Sequence, residues 1–205
     1  MENGSGSGAS SSKGDGSCWS SHRLRDIGRL ATWSVSSSKP GFGINQLTDP
    51  SLDTFWQSEG PQPHLINIQF SKRMTVSQLS IFVDVSIDDS YTPNRISIRA
   101  GSYHGDVQEV KLIDLEQPRG WQHYSLGSAS EDDQDVDRTD PEAFSIKARL
   151  IQIAVLSNHL SGKDTHIRNI KVFAPKDLPS IVEDDEDTFS LLPFTSRRMQ
   201  PSTVR

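Results

Sequence analysis

Pro63-His64-Leu65-Ile66-Asn67-Ile68-Gln69-Phe70 alternates apolar and polar residues over its last five positions, placing Ile66, Ile68 and Phe70 on one face and Asn67 and Gln69 on the other. A period of two marks a half-buried antiparallel strand. The run that leads to it begins at Trp33-Ser34-Val35-Ser36-Ser37-Ser38 and breaks at Lys39-Pro40-Gly41-Phe42-Gly43, where proline fixes one torsion and the glycines permit positive ones. A tight, shaped loop is expected there. Leu52-Asp53-Thr54-Phe55-Trp56-Gln57-Ser58 follows, and Trp33 and Trp56 are expected to pack beneath the strand while nearby hydroxyls and amides satisfy buried backbone.

Downstream the period stays near two. Val76 to Val83 puts Leu79, Ile81 and Val83 on one face; Ile96 and Ile98 alternate with Ser97 and Arg99; Val107 to Leu115 and Trp121 to Leu126 read as two more strands around the turn Gln117-Pro118-Arg119-Gly120. Arg149 to Leu156 is the most apolar run in the chain and suits a central strand covered on both faces, and Ile167 to Phe173 carries Ile170 and Val172 inward. Two polar loops interrupt the series, Asp84 to Asn94 and Ser157 to His166. Upstream, Leu24, Ile27, Leu30 and Ala31 recur at helix-like spacing and predict one or two helical turns. Many short strands without a long helix predict an all-β, antiparallel β-sandwich.

The chain has 205 residues and a formal charge of -6, which favours a single domain with tails. Residues 1–22 are rich in Gly and Ser and are expected to form a disordered leader. The domain is expected over 23–175, interrupted by an acidic, solvated insertion at 128–142, with a flexible tail over 176–205 that runs through Glu183-Asp184-Asp185-Glu186-Asp187 to Val204-Arg205. An acidic balance with no basic stripe argues against nucleic acid as a partner. No apolar run approaches the roughly 18 residues that cross a bilayer, so no membrane is expected as a partner. Cys18 stands alone, which rules out an intrachain disulfide and agrees with a reducing compartment, nucleus or cytoplasm.

Catalytic and metal motifs are weak. Ser90, His159 and Asp164 are the chemical types of a triad, but no strand-to-helix elbow surrounds the serine. His159, Asp164 and His166 are potential ligands whose spacing matches no strong zinc pattern. The acidic runs do not match a calcium-binding loop, and Gly41-Phe42-Gly43 lacks the partners of a phosphate loop. No catalytic residue, metal or cofactor is expected.

The segments Trp33-Ser34-Val35-Ser36-Ser37, Lys39-Pro40-Gly41-Phe42-Gly43, Thr54-Phe55-Trp56-Gln57-Ser58 and Pro63 to Phe70, with Ser90-Tyr91-Thr92-Pro93, Ile151 to Leu156, Asn158-His159 and Gly162-Lys163-Asp164-Thr165-His166, together resemble the Doc domain family of the anaphase-promoting complex. The resemblance spans about Asp26 to Pro175. It implies a galactose-binding-like jelly roll that is not an enzyme and serves a multisubunit ubiquitin ligase of the cell cycle. Together with a coactivator, such a domain forms a co-receptor for the destruction box, a short degron with an arginine and a leucine, and raises the processivity of ubiquitination. Within the two polar loops Ser90, Tyr91, Asn158, His159, Asp164 and His166 match the family pattern and, with Asp89, are the expected degron-binding residues. Tyr91 offers an apolar face with a hydroxyl, Asn158 suits the backbone of an extended peptide, and Asp88, Asp89 or Asp164 can attract the arginine. The family's tail commonly ends in Ile-Arg and docks into a tetratricopeptide-repeat subunit; Val204-Arg205 keeps the guanidinium and carboxylate and loses one methylene, about 1 kcal/mol if fully buried. The alternative on the same fold is a carbohydrate-binding module, which predicts exposed aromatic platforms in the end loops.

Overall fold

A computed structural model describes residues 23–127 and 143–176 together with the backbone of Ile181–Val182. The leader, the acidic insertion and the closing Val204-Arg205 lie outside the described residues. In chain order the strands are β1 (Leu24–Asp26), β2 (Ala31–Val35), β3 (Trp56–Gln57), β4 (His64–Val76), β5 (Gln78–Asp84), β6 (Pro93–Gly101), β7 (Gln108–Asp114), β8 (Arg119–Ser125), β9 (Ile146–Asn158), β10 (His166–Ile167), β11 (Asn169–Pro175) and β12 (Ile181–Val182). Among the described residues helix is confined to single turns: α1 (Ile44–Leu47), α2 (Val85–Asp88) and three 3-10 turns. Among the described residues no helix is long and apolar enough to cross a membrane.

Every strand pairing is antiparallel. One sheet runs β12-β4-β9-β6-β7, with β2 also on β4; the facing sheet runs β1-β11-β5-β8; β3 and β10 form a separate pair. The alternation in β4 does what its pattern requires. Ile66, Ile68 and Phe70 are buried against Ile153 and Ile151 of β9, Ile96 and Ile98 of β6, and Leu79, Ile81, Val83, Ile170 and Val172 of the opposite sheet. β9 lies between β4 and β6, and Leu150 to Val155 are buried without a break. On the outer face, Asn67 accepts from the Gln152 amide at 2.9 Å and donates to Ser34 Oγ at 3.3 Å, and Arg99 donates to Gln152 Oε1 at 3.3 Å. These polar links tie β2, β4, β9 and β6 in register on the side where the core cannot.

The helical spacing near the start is overruled. Leu24 to Asp26 is a strand on β11, a 3-10 turn spans Gly28–Leu30, and Ala31 already belongs to β2. Sheet pairing supplies what an isolated turn lacks: Ile27 donates to the Val172 carbonyl at 2.8 Å and is buried. Trp56 is fully buried, with its indole N–H on the Ser37 carbonyl at 3.0 Å, whereas Trp33 is half-buried at the rim of the core and donates to the Gly28 carbonyl at 2.9 Å.

The strand directions create two poles. His64, Asp84, Pro93, Arg119, Asn158 and His166 gather at one, and Val76, Gln78, Gly101, Ser125, Ile146 and Pro175 at the other. At the second pole Gly127 donates to the Phe144 carbonyl at 3.1 Å, across the base of 128–142, and Lys176 donates to the Arg23 carbonyl at 2.8 Å. A Cβ on Gly127 would lie 2.2 Å from Phe144 backbone atoms, so only glycine allows that approach. Truncating Ile153, which is fully buried at the sheet interface, is expected to cost about 2–5 kcal/mol as Ile153→Ala, read as a lowered midpoint in urea denaturation at unchanged slope.

Candidate functional site

The first pole is built around Arg168, which lies between β10 and β11 and is 7% exposed. Its Nε and Nη2 donate to the two carboxylate oxygens of Asp88 at 2.9 and 2.8 Å, and its Nη1 donates to the Leu52 carbonyl at 2.9 Å. One side chain thereby joins the 49–58 segment, the end of α2 and the β10–β11 junction. His166 Nδ1 lies 3.2 Å from Asp88 Oδ1; a carboxylate only accepts, so Nδ1 carries the proton. Burial pushes the Asp88 carboxyl up, but hydrogen bonds from His166 and Arg168 and the guanidinium charge together outweigh it and hold the group below the usual carboxylate value.

A column of rings rises from this base. Phe42 stacks on Phe55 at 4.9 Å, Phe55 on His166 at 4.1 Å, and His166 on Tyr91 at 4.1 Å with planes only 11° apart. Arg168 also lies 5.5 Å from the centre of the Phe55 ring. The outermost ring, Tyr91, is 40% exposed, so the column ends in an aromatic face open to solvent.

The two polar loops are locked to each other beside the column. The 3-10 turns Asp89–Tyr91 and His159–Ser161 meet, with His159 N–H on the Thr92 carbonyl at 2.9 Å. Gly162 lies so close to Ser90 that an added Cβ would be 1.8 Å from the Ser90 carbonyl oxygen. The second loop is pinned from below as well: Asn158 donates to the Asp164 carbonyl at 2.8 Å and accepts from Thr165 Oγ1, Thr165 N–H bonds Ser58 Oγ at 2.8 Å, and His64 Nε2 donates to the Lys163 carbonyl at 2.7 Å. Asp89, Leu160 and Ser161 have φ of 45°, 51° and 58°, torsions that favour glycine, and only Gln117 shares a positive φ among the other described non-glycine residues. Strain kept at two adjoining loops is a mark of a functional surface.

These observations sort the expected site residues. Tyr91 and Asp89 are exposed, Ser90, His159 and Asp164 are half-buried, and the carboxylates of Asp89 and Asp164 have no ion-pair partner among the described residues. Asn158 is 2% exposed and its amide is used inside the loop, where it shapes the site. Asp88 is not available to an incoming arginine, because Arg168 already occupies it. His166 is mostly covered by its neighbours in the column, and the Nε2 atoms of His159 and His166 are buried without a hydrogen-bond partner. No hydrogen bond links the side chains of Ser90, His159 and Asp164, and no three His, Cys, Asp or Glu residues converge as a metal site among the described residues.

Five participants went unread in the sequence. Phe42 and Phe55 belong to the column, although an aromatic between two glycines and one beside Trp56 were visible signals. Arg168 sits at the junction of two strands, and Leu160, 77% exposed, and Ile87, 61% exposed, add apolar surface at this pole.

Known proteins place this architecture. A family described as "Anaphase-promoting complex, subunit 10 (APC10)" matches residues 4–200. The chain belongs to that family. A human relative named anaphase-promoting complex subunit 10 is 46% identical over 77% of this chain and 79% of its own length. The fission yeast subunit 10 is 39% identical over 84% of this chain and 85% of its own, and the budding yeast subunit DOC1 is 33% identical over 90% and 69%. Among solved structures, the family 32 carbohydrate-binding module of C. perfringens NanJ, in complex with galactose, aligns with TM-score 0.56 at 16% identity over 74% of this chain and 99% of that one. The family 32 module of AlyQ aligns with TM-score 0.52 at 18% identity over 74% and 97%. At such identities the likeness establishes the jelly-roll fold alone.

Two outcomes follow for this pole of the subunit 10 family member. Folding favours ionised Asp88, so the stability it adds is present above the ordinary carboxylate value near about 4 and is lost as pH falls through its lower folded value. Asp88→Asn is expected to cost on the order of 3 kcal/mol at neutral pH and to flatten the acid limb of stability against pH, measured by urea denaturation. Gly162→Ala is expected to part the two loops, seen as faster amide hydrogen exchange in 85–92 and 158–165 with β9 still protected.

Proposed function

We propose that the protein is a non-catalytic substrate-recognition and processivity subunit of the anaphase-promoting complex ubiquitin ligase, whose loop pole forms a destruction-box co-receptor with a coactivator. The observation that carries this reading is the open face of Tyr91 on a rigid ring column, with the unpaired carboxylates of Asp89 and Asp164 and exposed Leu160 at the same pole. An extended degron with one arginine and one leucine needs such a pair of environments: carboxylates for the guanidinium and a preorganised apolar surface for the aliphatic side chain. Neighbouring subunits fit the rest of the reading, with Val204-Arg205 as the element that engages a tetratricopeptide-repeat subunit and the nucleus and cytoplasm as its location. A carbohydrate-binding role has in its support the shared fold and the exposed Tyr91 face, an aromatic platform at the loop pole.

The test is reconstituted ubiquitination of a destruction-box substrate with Tyr91→Ala/Leu160→Ser and, separately, Asp89→Asn/Asp164→Asn, after confirming that each variant still assembles into the ligase. Degron engagement is expected to weaken on the order of tenfold, with shorter ubiquitin chains and no difference on a substrate whose destruction box is destroyed. Full processivity by assembled variants would leave the domain as scaffold only.

A further inference from the structure

The outer face of the four-stranded sheet carries a cluster that the loop pole does not use. Register places Phe82 opposite Trp121 and Ser80 opposite His123 across β5 and β8, and sets Lys171 of β11 beside Ser80. Trp121 meets Phe82 edge-on at 5.5 Å and lies nearly parallel to His123 at 6.5 Å, while the Lys171 ammonium sits 4.9 Å from the centre of the indole. His123 is held in place by Ser80 Oγ, 2.7 Å from its Nδ1. Arg119, two residues before Trp121 and hence on the same face of β8, adds a second cation.

Lys171, His123 and Arg119 are exposed. Neither Lys171 nor Arg119 has a carboxylate partner among the described residues, and Asp84, opposite Arg119, is occupied by the Ser86 amide of the turn that follows it. In a chain of formal charge -6, one cation over the indole and a second on the same face, neither with a carboxylate partner among the described residues, mark a place where charge complementarity has been left open. Tryptophan beside cations is also the composition of interface anchors, and not of an ordinary solvated face.

We propose that this face docks an acidic segment of another subunit, whose carboxylates meet Lys171 and Arg119 while an apolar side chain lies on Trp121 and Phe82. The proposal rests on the subunit reading above and is independent of degron binding.

The experiment introduces the photo-crosslinker p-benzoylphenylalanine at His123, with a control at exposed Tyr103, in the ligase reconstituted from purified subunits, and identifies crosslinked peptides by mass spectrometry. The expected product joins position 123 to an Asp/Glu-rich peptide of another subunit, and Lys171→Glu/Arg119→Glu lowers its yield on the order of tenfold without changing the thermal midpoint of the isolated chain. Crosslinks confined to residues 128–142 of the same chain or to a second copy, a yield no higher than at Tyr103, or indifference to charge reversal each overturns the proposal while leaving the subunit reading intact. Failure of the wild-type chain to join the ligase overturns both.

Discussion

A guanidinium taken out of water cannot shed its proton, so the protein around Arg168 has to supply acceptors for it. Asp88 gives two, the Leu52 carbonyl another, and the Phe55 face covers what remains. Each acceptor comes from a different part of the chain, and satisfying one charge therefore fixes three segments relative to one another. His166 is drawn in through the same carboxylate, which sets its ring plane and so the plane of Tyr91 above it. The orientation of the outermost aromatic face thus depends on an ion pair two layers below.

The consequence for recognition is preorganisation. Loops that must be ordered on binding lose affinity to conformational entropy, and here the ordering is already done by Gly162 against Ser90, by Asn158 inside its own loop, and by Ser58 and His64 beneath. Torsions of Asp89 and Leu160 that would be costly in an isolated peptide are held by these contacts.

How much of this was legible in the sequence divides along the range of the interactions. The strands are legible wherever burial leaves a local pattern: β4 alternates over five consecutive residues, where a one-residue slip would expose the core, and β9 carries an apolar run of eight residues covered on both faces. The family pattern points to Tyr91 and His166, but their contact is not legible, since Phe42, Phe55, Tyr91 and His166 are separated by long stretches and no local periodicity links them. Asn158, from the family pattern and its amide, and Asp88, from its charge, are expected to face a ligand. Both are buried, and burial of a polar group becomes visible only when its partners, Arg168 and Thr165, are placed. The helical spacing near Leu24 failed for the opposite reason: a short local preference gave way to a sheet edge that needed covering.

The Gly127–Phe144 closure separates two kinds of sequence freedom. The bond from Gly127 to the Phe144 carbonyl holds the two ends that flank 128–142 together, so the strands on either side are placed without reference to the length between them. The bond between Lys176 and Arg23 gathers the domain's entry and exit at that same pole. Cargo attached at that pole would therefore lie a full strand length from the aromatic column at the other.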